Sequence, residues 1–322
     1  MSRSRRRCAW TLWLTLSLLP VGAGRVEARA ATPSQPAASG RVDIGGGRRL
    51  YYECRGTGTP TVVLESGLRN TAEAWKVTFD PPRGSVMDGV AGFTRVCAYD
   101  RPGTTWGVVE RSRSDPVPMP RTARDAADDL RALLRTIPVR GPVVLVGHST
   151  GGLIARLFAR THPGRVVGMV LVDAISERVQ TLMTRAQFRL YDKVLLTRPP
   201  PALKGYRDLE TIDFVTSFDQ MRDAEASRRH CWVPTTVISK GLPFDLGGVA
   251  GLPSGFPGVV ERAWRGNQRY MVGLTDGTRH VVARRSSHYV QLSQPALVVD
   301  AIRDVVKDAG PRFKTCQGPP LG

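Results

Sequence analysis

The sequence is poor in acidic residues and in the side chains that bind metals. It has 28 Asp and Glu against 46 Lys and Arg, so the 322-residue chain carries a formal net charge of +18. Its five His and five Cys show no metal-ligand spacing, and it has no glycine-rich phosphate-binding motif. The sequence therefore predicts neither a metal site nor a cofactor.

The signatures of nucleic-acid binding are also missing. There is no zinc-finger spacing, no basic run interleaved with aromatic residues and no helix-turn-helix signal. The basic excess is mostly arginine scattered along the chain, and such a field favours anionic surfaces or substrates. We expect no nucleic-acid partner.

Long apolar runs are scarce apart from one near the N terminus. Residues 1–30 begin with arginines, continue with an apolar stretch over 8–24 and end in Ala28-Arg29-Ala30, the pattern of a secretory signal peptide. The apolar stretch is too short to favour a membrane-spanning helix, so no stable membrane insertion is expected after cleavage. Residues 31–40, rich in Pro, Ser and Ala, are predicted to form a disordered tail.

The most informative stretch of the sequence runs from Val143 to Arg156. It opens with a β-branched apolar run typical of a buried strand and ends with the apolar spacing of a helix. Between them lies Gly147-His148-Ser149-Thr150-Gly151. A sharp strand-to-helix turn leaves little space beside its central residue, which explains the glycines, and it exposes Ser149 at a helix N-terminus.

These residues resemble the α/β-hydrolase family, in particular its esterase, lipase and proline-iminopeptidase-like branch. The resemblance implies an α/β fold with a mostly parallel central sheet, flanking helices and a small helical cap. The predicted boundaries are 41–174 for the first part of the core, 175–230 for the cap, 231–310 for the second part of the core and 311–322 for a C-terminal tail.

A serine hydroxyl needs a base, and that base needs a carboxylate to orient it. Of the five histidines only His288 follows the last predicted strand, as the order Ser, Asp, His requires. The carboxylate has two candidates: Asp173 ends a predicted strand, and Asp245 lies in a Gly/Pro-rich loop. We favour Asp173 because a strand end holds its side chain rigidly, and keep Asp245 as the alternative.

Further roles are implied by the resemblance. The loop after the second core strand supplies one oxyanion-hole amide, which corresponds to the N–H of Leu68, and the residue after the nucleophile, Thr150, supplies the other. Asp100-Arg101-Pro102-Gly103 resembles the Asp-Arg-x-Gly turn of the family, in which an Asp–Arg bridge is structural. Asp100 is therefore interpreted as a structural residue.

Secretion would leave four cysteines, which allow three pairings. In the implied fold the strands that carry Cys54 and Cys97 are neighbours, so a disulfide between them is geometrically plausible. Cys231 and Cys316 would then join the end of the cap to the C-terminal tail.

Together these features predict a secreted serine hydrolase that acts on a small-molecule carboxylic ester. One alternative is an amide or peptide substrate, which would call for an acidic cap residue to hold the substrate amine. The candidates are Glu210, Asp213, Asp219, Asp223 and Glu225. The other alternative is a non-catalytic binding protein on the same scaffold.

Overall fold

The computed structural model describes residues 36–226, 233–246, 249 and 251–312. The predicted signal peptide (1–30), residues 31–35, Cys231 and Cys316 lie outside the described residues, as does the predicted tail apart from 311 and 312.

Strands in the described part form one large sheet and one short hairpin. Their bounds are β1 (Pro36–Asp43), β2 (Arg49–Arg55), β3 (Thr61–Glu65), β4 (Val96–Tyr99), β5 (Thr105–Trp106), β6 (Glu110–Arg111), β7 (Val143–His148), β8 (Val166–Val172), β9 (Thr235–Lys240) and β10 (Arg279–Ala283). The large sheet has the order β1-β2-β4-β3-β7-β8-β9-β10. The β1–β2 and β2–β4 pairs are antiparallel and the others are parallel. The predicted, mostly parallel sheet is confirmed.

Helices cover both faces of this sheet. Their bounds are α1 (Val86–Ala91), α2 (Ala123–Thr136), α3 (Thr150–Thr161), α4 (Arg178–Thr181), α5 (Arg185–Tyr191), α6 (Phe214–Ala226), α7 (Phe256–Val272), α8 (Val290–Ser293) and α9 (Pro295–Arg312). One apolar core lies between the sheet and the side that carries α2 and α3, and a second lies between the sheet and α1 with α9. Central strands buried on both faces need apolar residues throughout, which explains the continuous Val143–Val146 run.

The prediction of a disordered segment at 31–40 is wrong for its last five residues. Residues 36–43 form β1, which pairs with β2 in a register that places Arg41 opposite Tyr51. Composition alone suggested disorder, but the exposed edge of β2 offers backbone hydrogen bonds to whichever segment lies beside it. Pro36 is tolerated because it stands at the end of an edge strand.

The described part of the segment between β8 and β9 contains α4, α5 and α6, a π-helical stretch over Asp192–Thr197 and a short helical turn at Pro201–Leu203. It coincides with the segment predicted to form the cap. A disulfide joins Cys54 in β2 to Cys97 in β4, as predicted, because antiparallel pairing sets the two residues directly opposite each other. Within the described ranges, no helix combines the length and apolar character needed to cross a bilayer.

Candidate active site

Ser149 occupies the tight turn between β7 and α3. Its backbone has φ 53° and ψ −121°, a conformation that residues other than glycine rarely adopt. The turn is packed so closely that a Cβ atom at Gly151 would lie 2.3 Å from the carbonyl oxygen of Glu65. The glycines of the motif therefore allow the strained turn that holds Ser149 at the start of α3.

His288 lies after β10 and contacts the carboxylate of Asp173. Its Nδ1 is 2.7 Å from Asp173 Oδ2. Asp173 follows β8, is fully buried and also has a positive φ of 40°. Its Oδ1 accepts hydrogen bonds from Trp264 Nε1 at 2.9 Å and from the backbone N–H of Lys240 at 3.1 Å. Three donors from three different elements thus fix this carboxylate.

Of the two candidate carboxylates, the structure places Asp173 against His288. Asp245 is exposed in the loop after β9. That loop still reaches His288 through Phe244, whose ring lies 5.2 Å from the imidazole. Trp264 packs edge-on against the same imidazole at 5.4 Å. The loop therefore contributes an aromatic wall to His288.

The histidine of the turn, His148, is part of the same cluster. Its Nε2 is 3.0 Å from the backbone carbonyl oxygen of His288, and the two rings lie 4.7 Å apart. Burial, assisted by the neighbouring His288, lowers the pKa of His148 well below its usual value. His148 is therefore a neutral ring whose Nε2–H donates to the carbonyl oxygen of His288 and joins the turn to the loop that carries His288.

The amides of Leu68 and Thr150 have the freedom that an oxyanion site requires. Both residues line the cavity that also contains Ser149. In the described part of the chain, neither N–H donates to a protein acceptor. Thr150 is the first residue of α3, where a backbone N–H has no partner within the helix.

The predicted bridge between Asp100 and Arg101 is wrong, although both residues are structural. Asp100 accepts hydrogen bonds from the side chain and backbone of Arg113 and from the backbone N–H of Ala72. Arg101 instead pairs with the buried carboxylates of Glu65 and Glu210. Each side chain is hydrogen-bonded to partners of its own, so the two residues do not form one bridge.

A cavity of about 700 Å³, within the usual range for small-molecule sites, is lined by Leu68, Ser149, Thr150 and His288 together with other residues. Segments from the core and from 175–226 both contribute to its walls. Apolar and aromatic side chains dominate, among them Leu68, Phe79, Trp106, Ile175, Tyr191, Leu195, Leu196, Leu203, Phe244, Leu246, Val260, Trp264, Tyr289 and Leu292. Among the described residues that line the cavity, none carries a carboxylate. In the same ranges, no group of three or more His, Cys, Asp or Glu could hold a metal ion.

Two sets of supporting residues were missed by the sequence analysis. Trp264, which bonds Asp173, lies on α7 and carries no motif. The second set is the network of Arg69, Arg101 and Glu210 beside Leu68. In the sequence Glu210 is one of several acidic residues of the predicted cap, and no motif links it to Arg69 or Arg101, which lie more than a hundred positions earlier.

Comparison with known proteins places this geometry in context. The profile described as Alpha/beta hydrolase family matches residues 62–301. A protein of Gibberella zeae named AB hydrolase superfamily protein is 25% identical over 83% of this chain and 94% of its own length. An uncharacterized protein of Schizosaccharomyces pombe is 42% identical, but the match covers 44% of this chain and 28% of that protein.

Solved structures show the same fold. A thermophilic esterase from Thermogutta terrifontis superimposes with a TM-score of 0.52 at 19% identity, covering 85% of this chain and 99% of that one. Est816, described as an N-acyl homoserine lactone degrading enzyme, gives 0.52 at 18% identity and covers 83% and 100%. At these identities the likeness concerns the fold alone. With the profile match over most of its length, the chain belongs to the alpha/beta hydrolase family.

Proposed function

We propose that this protein is a serine hydrolase that cleaves carboxylic esters. The observation that carries the proposal is the 2.7 Å contact between His288 Nδ1 and the buried carboxylate of Asp173, in the cavity that also holds Ser149. A carboxylate at Nδ1 keeps the proton on that nitrogen and leaves Nε2 as the basic atom.

The proposed reaction has two halves. Ser149 Oγ attacks the ester carbonyl carbon while His288 Nε2 accepts the hydroxyl proton, and the carbonyl oxygen becomes an anion that Leu68 and Thr150 N–H stabilise. His288 then returns the proton to the departing alcohol as the acyl-enzyme forms. A water molecule, deprotonated by the same nitrogen, attacks the acyl-enzyme and releases the acid.

The charges near the cavity favour an ester over an amide that carries a free amine. A substrate amine needs an available carboxylate. Of the five candidates in the cap segment, Glu210 is neutralised by Arg101, Glu225 by Arg156 and Asp219 by Arg222. Asp223 is exposed and does not line the cavity. Asp213 accepts hydrogen bonds from Thr216 at the start of α6. The apolar walls suit a neutral acyl group.

The test compares hydrolysis of short-acyl p-nitrophenyl esters with that of prolyl p-nitroanilide by the purified protein and by Ser149→Ala. We expect ester turnover that falls to the uncatalysed rate in Ser149→Ala, and little turnover of the anilide. A fluorophosphonate should add one covalent adduct, which peptide mass spectrometry would locate on Ser149.

Two outcomes would contradict the proposal. Equal ester hydrolysis by the wild type and Ser149→Ala would mean that the reaction occurs elsewhere. A folded protein that neither turns over any member of a broad ester panel nor takes up the fluorophosphonate would point to a binding protein on this scaffold.

We also propose that the chain is exported, with residues 1–30 as the leader. Support comes from the sequence pattern and from the disulfide between Cys54 and Cys97, since disulfides persist in oxidising compartments. Expression in a bacterium with a functional secretion pathway should give an extracytoplasmic product that begins near residue 31. N-terminal sequencing that finds the leader intact on cytoplasmic protein would overturn this proposal.

A further inference from the structure

A buried ionic network lies directly behind the loop that carries Leu68. Glu210 comes from the cap segment, between a short helical turn and α6, and is 2% exposed. Its carboxylate accepts two hydrogen bonds from Arg101, from Nε at 2.6 Å and from Nη2 at 3.0 Å. It accepts a third from the backbone N–H of Arg69, at 2.6 Å from Oε2.

This network contacts both peptide units that flank Leu68. The carbonyl oxygen of Gly67 accepts hydrogen bonds from Arg101 Nη2 at 2.8 Å and from the backbone N–H of Asn70 at 3.1 Å. That oxygen and the Leu68 N–H belong to one planar trans peptide, so they point in opposite directions. Holding the oxygen toward Arg101 therefore aims the N–H the other way. The following peptide is fixed by the bond from Arg69 N–H to Glu210.

The same loop is hydrogen-bonded to the cap segment at further points. The guanidinium of Arg69 donates to the backbone carbonyl oxygens of Leu196, Thr197 and Arg198. The turn that carries Arg101 is also close to the cap segment, since a Cβ atom at Gly103 would lie 2.2 Å from the carbonyl oxygen of Asp208. Arg69 holds a φ of 63°, which a non-glycine residue keeps only when its surroundings enforce it.

We propose that Glu210 is a positioning residue for the Leu68 amide, so that the cap maintains one half of the oxyanion site. The inference rests on the proposed function and deepens it. Glu210 is not available to hold a substrate amine, because its carboxylate balances Arg101 and accepts the hydrogen bond that orients the Leu68–Arg69 peptide. If one of the two carboxylate oxygens no longer accepted a hydrogen bond, this peptide would be free to rotate.

The test uses Glu210→Gln, which keeps the size of the side chain but replaces one acceptor oxygen with an NH₂ donor. The matched control is Glu177→Gln. Glu177 is also a buried carboxylate with two hydrogen bonds from one arginine, Arg156 at 2.8 and 3.3 Å. Its other side-chain partner is Tyr270, so it makes no hydrogen bond to the Leu68 loop. Each variant is assayed for kcat, KM, thermal midpoint and inhibition by an alkylboronic acid, which forms a tetrahedral adduct on a catalytic serine.

In Glu210→Gln we expect kcat to fall about 10- to 100-fold, somewhat less than the loss on removing an oxyanion donor outright. KM should change less than about threefold, and the boronic acid Ki should rise by about the same factor as kcat falls, because both depend on the oxyanion donor. Glu177→Gln should keep kcat and Ki within about twofold of the wild type, even if its thermal midpoint falls equally.

The inference is overturned if Glu210→Gln keeps kcat and Ki within twofold, or if both variants lose activity in proportion to their thermal midpoints. Should Glu210→Gln fail to fold, Glu210→Asp retains the charge and is judged by the same split between kcat and KM. A failure of the proposed function itself appears earlier and separately, as wild-type turnover that is unaffected by Ser149→Ala.

Discussion

The two sides of the candidate site are held in place by different means. Asp173, at the end of β8, is fixed by hydrogen bonds from Trp264 and Lys240, and His288 contacts Asp173 and packs against aromatic rings. The Leu68 loop on the other side depends on buried charges, one of which comes from the cap, 141 positions away from Arg69. One side thus belongs to the sheet, and the other is hydrogen-bonded to the cap segment.

This difference separates what is robust from what is sensitive. Carboxyl ends of adjacent parallel strands lie close together whenever the sheet forms, so the pairing of β8 with β9 brings the backbone of Asp173 beside Lys240. A buried ion pair is different, because removal of one partner leaves an uncompensated charge. Burial tends to lower the pKa of Arg101, but Glu210 and Glu65 outweigh it and raise that pKa, so Arg101 stays charged throughout the accessible pH range.

The sheet side is tested most severely by Asp173→Asn. The amide would favour the wrong tautomer of His288, and kcat should fall about 10⁴-fold, as for the equivalent change in serine proteases. Asp245→Asn is the control and should stay within about twofold of the wild type. Steady-state ester hydrolysis by both variants decides the matter, and a large loss only in Asp245→Asn would reverse the assignment.

The loop side is tested by Gly67→Ala. An added Cβ atom would lie 2.7 Å from His148 Nδ1 and 3.2 Å from Ser149 Cβ, so either His148 or the loop must move. We expect kcat to fall about 10- to 100-fold, because displacement of the loop misplaces the Leu68 donor. At Gly164 the structure leaves open space for a methyl group, and Gly164→Ala should retain full activity.

A smaller effect is expected from Trp264→Phe. This change keeps a ring beside His288 but removes the hydrogen bond to Asp173 Oδ1, worth about 1.5 kcal/mol when the acceptor is charged, or roughly tenfold in kcat. Trp75→Phe is the matched control, since Trp75 Nε1 has no hydrogen-bond partner among the described residues. Equal losses in the two variants would show that ring packing, rather than the bond, matters.

The smallest effect concerns His148, which touches both sides, and it appears in stability rather than rate. Burial lowers the folded-state pKa of His148, so below its usual pKa of about 6.5 the unfolded chain binds a proton that the folded chain does not. Stability is therefore retained above pH 6.5 and lost as pH falls. Relative to His148→Gln, the wild type should lose about 1.4 kcal/mol per pH unit below pH 6 in urea unfolding. The prediction is refuted if the free energies of unfolding of the wild type and His148→Gln change in parallel with pH.

The sheet side could be predicted from the sequence because its signals are local. The glycines around Ser149, the β-branched strand before it and the order of Asp173 and His288 each report a short-range constraint. The preference for Asp173 over Asp245 was argued from rigidity at a strand end, and the contact with His288 agrees with that reasoning.

The remainder could not be predicted because it depends on long-range placement. Arg101 was assigned to Asp100 because the turn resembles the Asp-Arg-x-Gly motif of the family, whereas the carboxylate partners of Arg101 are 36 and 109 positions away. Residues 36–40 were assigned to a disordered tail by composition, whereas the open edge of β2 orders them. In both cases the decisive partner is a segment whose position only the folded chain defines.

Three non-glycine residues of the described chain have a positive φ, and all three belong to this site: Arg69, Ser149 and Asp173. Each such conformation costs on the order of 1–3 kcal/mol. A search for heat-stable variants would therefore be drawn to these positions, where glycine relaxes the backbone. We expect the most stabilised members of such a library to be enzymatically poor, and useful thermostabilisation to lie elsewhere in the fold.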